Sequence, residues 1–323
     1  MEIIKTNRVF DFLKYGKPLF GLSIALFILS IVLFVTKGLN YGIDFSGGTV
    51  VQVKYAQAAP IPKIREAVSQ SPLFENAVVT KFGSDSEIVI KTPTSTSSVD
   101  EDIGDVATRL LEGTGEFEIR RVDMVGPKVG DELKEKGLTA LALALIAIMA
   151  YVAFRFEWRF ALAAVVALFH DVLITVGFLS VTNTDVNLDT VAALLTILGY
   201  SINDTIIVFD RIREVIKENK LTSFKEIVNV AVSNTLSRTI LTSLTVFFVV
   251  LTLYLFGGEI MVGFSLPLLV GVIVGTYSSV FIASQIVIWL GFSVKNYREN
   301  EAKKEKRRKD KEKLRAMYEK GVV

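Results

Sequence analysis

Residues Leu198–Glu214 read LGYSINDTIIVFDRIRE. Asp204 has apolar sequence on both sides, whereas Asp210 falls where the apolar run gives way to Arg211 and Arg213. Upstream, the run extends back to Leu188. That is long enough for a helix to cross a bilayer core of roughly 30 Å, which takes about 20 apolar residues. A carboxylate at the centre of such a helix costs on the order of 2.5–3.5 kcal/mol on insertion scales, so it is a functional candidate by default.

The rest of the composition fits this reading. The chain has 323 residues, of which 51% are hydrophobic and 22% charged. Its mean hydropathy is +0.46. Apolar and charged residues must therefore be segregated into spans and loops. There is no cysteine, which excludes disulfides, thiol nucleophiles and Cys-ligated metals. The single histidine, His170, rules out a multi-His metal site within one chain. No P-loop, GxGxxG or GxSxG stretch supports ATP-driven or triad chemistry. We therefore expect no enzyme activity, cofactor, metal or nucleic-acid partner.

Six segments qualify as membrane helices: Pro18–Val35, Leu138–Phe154, Phe160–Val181, Leu188–Phe209, Thr239–Phe256 and Ile260–Leu290. Basic residues orient them. Lys5, Arg8, Lys14 and Lys17 precede the first span, and Arg155 and Arg159 bracket the turn after the second. Arg211, Arg213, Lys217, Lys220 and Lys225 follow the fourth, and the tail from residue 291 is dense in Lys and Arg. The opposite loops, TNTDVN and GGE, carry none. Alternating helices put every basic segment on one side, so both termini are expected in the cytoplasm. The first span is expected to be an uncleaved anchor, because no small-residue cleavage site follows it.

Residues 36–137 read as an external domain. GTVVQVKY alternates like a strand, IPKIREAVSQ has helical spacing with Pro62 suited to the first turn, and NAVVTKF and SEIVIKT read as strands. SVDEDIGDVATRLLEG reads as a helix ending near Gly113, and EFEIRRVDMV as a closing strand, with TPTSTSS a loop. The order βαββαβ predicts a small ferredoxin-like α+β domain. On the cytoplasmic side, residues 210–238 read as a loop. In it SFKEIVNVAV forms an amphipathic helix with a Ser223–Glu226 capping box, lying at the interface or packed on the protein. The charged tail reads as a solvated helix or an unstructured end, with some attraction to anionic lipid.

Asp204 lies roughly 6–9 Å inside the cytoplasmic end of its span at 1.5 Å per residue. With Ser201, Asn203 and Thr205 it forms a polar patch that must face other helices or water. Its natural partner is Arg238, at the cytoplasmic end of the fifth span. A helix motion that makes and breaks this pair changes proton affinity, which is the core of a proton-coupled device; a static ion pair that only fixes packing is the alternative. In the third span, His170 and Asp171 point about 100° apart and need not touch. Asp171 is either part of a polar relay or bound to Ser and Thr hydroxyls for packing. Asp189 reads as a helix-start residue, and Asp210, Arg211 and Arg213 as anchors of a helix boundary. The glycines of GVIVG and GTYSS in the sixth span point to close helix packing.

Five stretches in this order, YGIDFSGGT, VGPKVGDEL, FHDV, GYSINDTIIVFDRIRE and NTLSRT, resemble the SecF family of the bacterial SecD–SecF protein-export complex, within the resistance–nodulation–division superfamily. The resemblance covers nearly the whole chain. It implies that Gly42, Asp44, Phe45, Gly47 and Gly48 open the external domain, and that Asp204 and Arg238 carry proton coupling. It also implies a SecD partner completing a twelve-helix core, the SecYEG channel and YajC as further partners, and an unfolded polypeptide as cargo. The setting is a bacterial cell membrane, the inner one where there are two. Family members use protons or, in some cases, sodium. Three rivals remain: an intramembrane aspartyl protease using Asp171 and Asp204, a superfamily exporter of lipids or small molecules, and a purely structural subunit.

Overall fold

The computed structural model describes residues 9–93, 103–218 and 223–319. Lys5, Arg8, Lys220 and most of the TPTSTSS loop lie outside the described residues. Six helices are long and apolar enough to cross a membrane: α1 (Gly16–Thr36), α4 (Pro127–Arg155), α5 (Trp158–Thr182), α6 (Leu188–Glu218), α7 (Phe224–Phe256) and α8 (Val262–Trp289). The first five contain an expected apolar span and α8 covers all but the ends of the sixth, Ile260–Leu290; several run beyond the apolar stretch, because nothing in the polar flanks breaks the backbone ladder. Pro127 sits in the first turn of α4, where its missing N–H is not needed. In α8, Pro267 lies inside the helix and a π-helical turn covers Ser279–Ala283.

Between α1 and α4 the chain forms β1 (Gly48–Tyr55), α2 (Ile61–Ser69), β2 (Val78–Phe82), β3 (Ser84–Thr92), α3 (Ile103–Leu111) and β4 (Phe117–Val125). The sheet order is β2-β3-β1-β4, and every pair is antiparallel. This is the expected ferredoxin-like arrangement. One face of β1, Val51, Val53 and Tyr55, packs with Ile64 and Val68 of α2 and Val106 and Leu111 of α3. The helices thus cover the apolar face that the alternation in the strands creates.

The opening signature of this domain fastens it to the membrane helices. Gly42 N donates to Val186 O, and Val186 N to Asn40 O, in the α5–α6 loop. Asp44 Oδ2 accepts from Leu188 N at 3.0 Å, satisfying an unpaired donor at the start of α6. Phe45 is buried against Leu179 and Val186. Gly47 and Gly48 have φ of +71° and +130°, where side chains are strained. A Cβ on Gly47 would also meet the Pro127 backbone of α4 at 2.9 Å, and one on Gly48 the Thr92 carbonyl of β3 at 2.5 Å. Lys91 of β3 adds an ion pair to Asp185.

One sequence expectation is corrected. SFKEIVNVAV is not a separate interfacial helix: α7 runs unbroken through it and on through Arg238, over 33 residues. No Gly or Pro interrupts the stretch, so the helix has no reason to stop. Ser223 is the N-cap residue but makes no side-chain cap hydrogen bond. Ile227, Val228 and Ala231 are buried in one core with Phe209, Ile212 and Val215 of α6, which is the protein-packed alternative. Residues 210–218 likewise continue α6 rather than forming a loop. The charged tail is helical, α9 (Val294–Glu319).

Close helix approach depends on small residues. A Cβ on Gly177 of α5 would lie 2.5 Å from Ser30 Cβ and 2.8 Å from Ser30 Cα of α1. Gly177→Val is therefore expected to push α1 off α5 and cost about 1–3 kcal/mol. Gly21→Val on α1, where a Cβ meets nothing within 4 Å, is expected to cost far less. Thermal unfolding of the two variants in detergent checks this, and equal melting temperatures would refute the close α1–α5 contact.

Candidate functional site

The polar interior is built where α5, α6, α7 and α8 meet. Gly271 and Gly275 of α8 bring that helix against α6: a Cβ would lie 2.3 Å from the Ile197 side chain and 3.0 Å from Ser201 Cβ, respectively. GVIVG is thus a packing stripe with a named partner, as its composition suggests.

Asp171 of α5 has no exposed surface. Its Oδ2 accepts from Ser201 Oγ of α6 at 2.6 Å and from Ser278 Oγ of α8 at 2.7 Å. Its Oδ1 lies 2.9 Å from His170 Nδ1. The two neighbours, which helical spacing alone left free to touch or not, are in contact, the imidazole folding back across that angle. Asp171 is thus a hydrogen-bonded junction of three helices, and Thr175 Oγ1 donates to its backbone carbonyl at 2.8 Å. Ser278 was missed as a polar partner. It sits in GTYSS, where small residues read as packing, and only the α5–α8 contact reveals its target.

Asp204 is 1% exposed, and neither carboxylate oxygen has a hydrogen-bond partner among the described residues. Arg238 is the cation whose field reaches it, and the Ser243 hydroxyl is also near. The two are not within ion-pair distance here: α6 and α7 bring Arg238 near Asp204, but Arg238 is exposed on this single chain. Among the described residues the hydroxyls of Tyr200 and Thr239 are also buried without close hydrogen-bond partners, whereas Ser243 Oγ is 2.7 Å from Thr276 Oγ1. Buried polar groups are nearly always satisfied, so this cluster stands out. A lone buried charge is costly, and a proton or an approaching guanidinium relieves it.

The remaining candidates separate. Thr205 is buried and spends its hydroxyl on the Ser201 carbonyl at 3.3 Å. Asn203 is exposed. Asp210 pairs with Arg155 at 3.3 Å and Arg213 at 3.6 Å, and Arg211 pairs with Glu214 at 2.9 Å, at the end of the membrane helices. Asp171 and Asp204 share no hydrogen bond, so the shared-proton dyad of an aspartyl protease is not assembled.

Comparison with known proteins agrees with this architecture. The family model described as "Protein export membrane protein SecD/SecF, C-terminal" matches residues 106–293, and "SecD/SecF GG Motif" matches residues 32–59, which include Gly47 and Gly48. The protein translocase subunit SecF of Helicobacter pylori strain 26695 is 50% identical over 323 residues, all of both chains. SecF of Escherichia coli O157:H7 is 39% identical, with 93% of each chain covered. The crystal structure of SecDF, a translocon-associated membrane protein from Thermus thermophilus, superimposes with a TM-score of 0.79 at 34% identity. The match covers 89% of this chain and 39% of that one, so this chain corresponds to less than half of the longer protein. A multi-pass membrane chain with these relatives belongs to the SecF family of protein translocase subunits.

Proposed function

We propose that this chain works with a SecD partner to draw on the proton-motive force and promote late steps of polypeptide translocation through SecYEG. It does so in the bacterial cell membrane with both termini in the cytoplasm. The observation that carries the reading is Asp204: 1% exposed in a membrane helix, with both oxygens unpartnered and Arg238 the nearby cation. Pairing with the guanidinium and binding a proton are two ways to relieve the same buried charge. A helix motion that exchanges one for the other couples proton passage to movement. Each proton brings about 2.3 kcal/mol per 100 mV.

Arg238 and Asn203 are exposed polar groups on membrane helices of this chain. Lipid does not solvate such groups, so a second helical half covering them fits the exposure. The external domain, held to α6 through Asp44 and packed on α4 at Gly47, is positioned to pass helix movements outward to an exported chain.

The test is proton flux through vesicles holding the chain with SecD and SecYEG, with and without an unfolded polypeptide engaged. Arg238→Met is expected to reduce flux and proton-driven translocation at least tenfold while the subunits still co-purify. Flux at the wild-type level in Arg238→Met would remove the coupling role from this pair.

A further inference from the structure

At the end of the bundle holding Arg155, Arg159 and Arg213, the α4–α5 turn and α9 enclose a cleft of about 410 Å³. Its floor is the buried ring of Phe156. The Arg155 and Arg213 guanidinium carbons lie 5.3 and 5.1 Å from the centre of that ring. Both arginines are held in place: each pairs with Asp210, and Arg213 Nε donates to Tyr297 Oη at 3.0 Å. Across the cleft α9 supplies Lys303, Lys304 and Arg307.

These five cations face two lining carboxylates, Glu157 and Glu301. Glu301 is engaged by Lys217 at 3.0 Å and Lys304 at 3.2 Å, and Glu157 lies 3.7 Å from Arg159. Lys217 and the neighbouring Lys304 hold the Glu301 carboxyl below the usual carboxylate range, so it stays ionised and committed to them. Among the described residues, no carboxylate lies within ion-pair distance of Lys303 or Arg307. The cleft thus keeps an excess of positive charge with donors to spare.

Its position selects among anions. Phe154, on the lining, is 95% exposed, and Trp158 and Trp289 at the same end are 59% and 55% exposed. Exposed tryptophans beside arginines mark the level of the lipid headgroups. A soluble anion gains nothing from bare Phe154, whereas an acyl chain does. We propose that this cleft binds the phosphate of an anionic phospholipid headgroup between Arg155 and Arg213 on one wall and Lys303, Lys304 and Arg307 on the other. Basic pockets between membrane helices on the cytoplasmic side are suited to such headgroups. The bound lipid would tie α9 to the bundle at the membrane surface. This site is independent of the proton-coupling reading.

The experiment titrates full-length chain, purified and delipidated in detergent, with phosphatidylglycerol, phosphatidylcholine or inorganic phosphate. Retained lipid is read by native mass spectrometry and the melting temperature by thermal unfolding. Wild type is expected to retain phosphatidylglycerol and gain melting temperature with it, and not with the other two. Lys303→Gln, Lys304→Gln and Arg307→Gln together are expected to weaken retention by about two orders of magnitude, at about fivefold per cation. Lys309→Gln, Lys311→Gln and Lys313→Gln, which remove equal charge from the same helix outside the cleft, are expected to change it less than fivefold. Equal losses in the two triple variants would mean a diffuse charge effect and overturn the site. Equal protection by inorganic phosphate would overturn the lipid assignment. Because the substituted residues are exposed on α9, the lipid-free melting temperature of both variants is expected to match wild type.

Discussion

Asp204→Asn is expected to abolish proton-driven translocation while leaving the chain folded and assembled. Asparagine keeps the size and planarity of the side chain, so α6 and α8 still pack across Ser201 and Gly275. It is neutral in every state and cannot exchange a proton for contact with Arg238. The step thus loses the work of the proton, about 2.3 kcal/mol per 100 mV, and at a typical potential the driven component falls by at least tenfold. Removing a buried charge that has no hydrogen-bond partner costs the fold little and can stabilise it. The measurement is translocation into vesicles with and without an imposed proton gradient, alongside co-purification with SecD. Asp204→Glu keeps the titrating group but must fit another methylene at a position 1% exposed, so partial activity is expected. Gradient-dependent translocation at the wild-type rate in Asp204→Asn would favour a purely structural subunit.

Asp171→Ala is expected to damage stability rather than coupling alone. It leaves Ser201 Oγ, Ser278 Oγ and His170 Nδ1 without their common acceptor at the crossing of α5, α6 and α8. Hydrogen bonds between membrane helices are worth about 0.6 kcal/mol on average and up to about 1.7. Three lost bonds and the cavity of the missing carboxyl put the cost at roughly 2–5 kcal/mol. Asp171→Asn retains one acceptor oxygen and is expected to lose about half as much. Ser278→Ala, which removes one donor, is expected to lose least. Thermal unfolding in detergent orders the series. An Asp171→Ala chain as stable as wild type but blocked in proton flux would make Asp171 a relay and not a junction.

Much of this was legible in the sequence because the bilayer enforces it. Spans of apolar residues must be helices, since no other open structure satisfies its backbone in lipid. Strand alternation and a βαββαβ order lead to one compact antiparallel sheet, and the pairing β2-β3-β1-β4 follows. The polar tail and the Lys225–Ala231 stretch were harder to place. Their patterns suit a surface helix equally well whether the apolar face meets lipid or protein, and the burial of Ile227 and Val228 beside Phe209 settles that choice.

The two membrane carboxylates show where such reading ends. That Asp171 and Asp204 are buried in membrane helices follows from the chain alone, because flanking apolar residues leave them no route to water. Their different fates do not follow. Asp171 is satisfied by hydroxyls contributed from Ser201 and Ser278, 30 and 107 residues away, while Asp204, one helical turn from Ser201, has no hydrogen-bond partner among the described residues. Helical periodicity sets which residues share a face, but not which neighbouring helix meets that face or at what height. Those depend on how closely Gly271 and Gly275 let α8 approach α6, and on how α7 carries Arg238 past Asp204 without reaching it. The local chain determines where the carboxylates are buried; the register between helices determines which one meets hydrogen-bond donors and which does not.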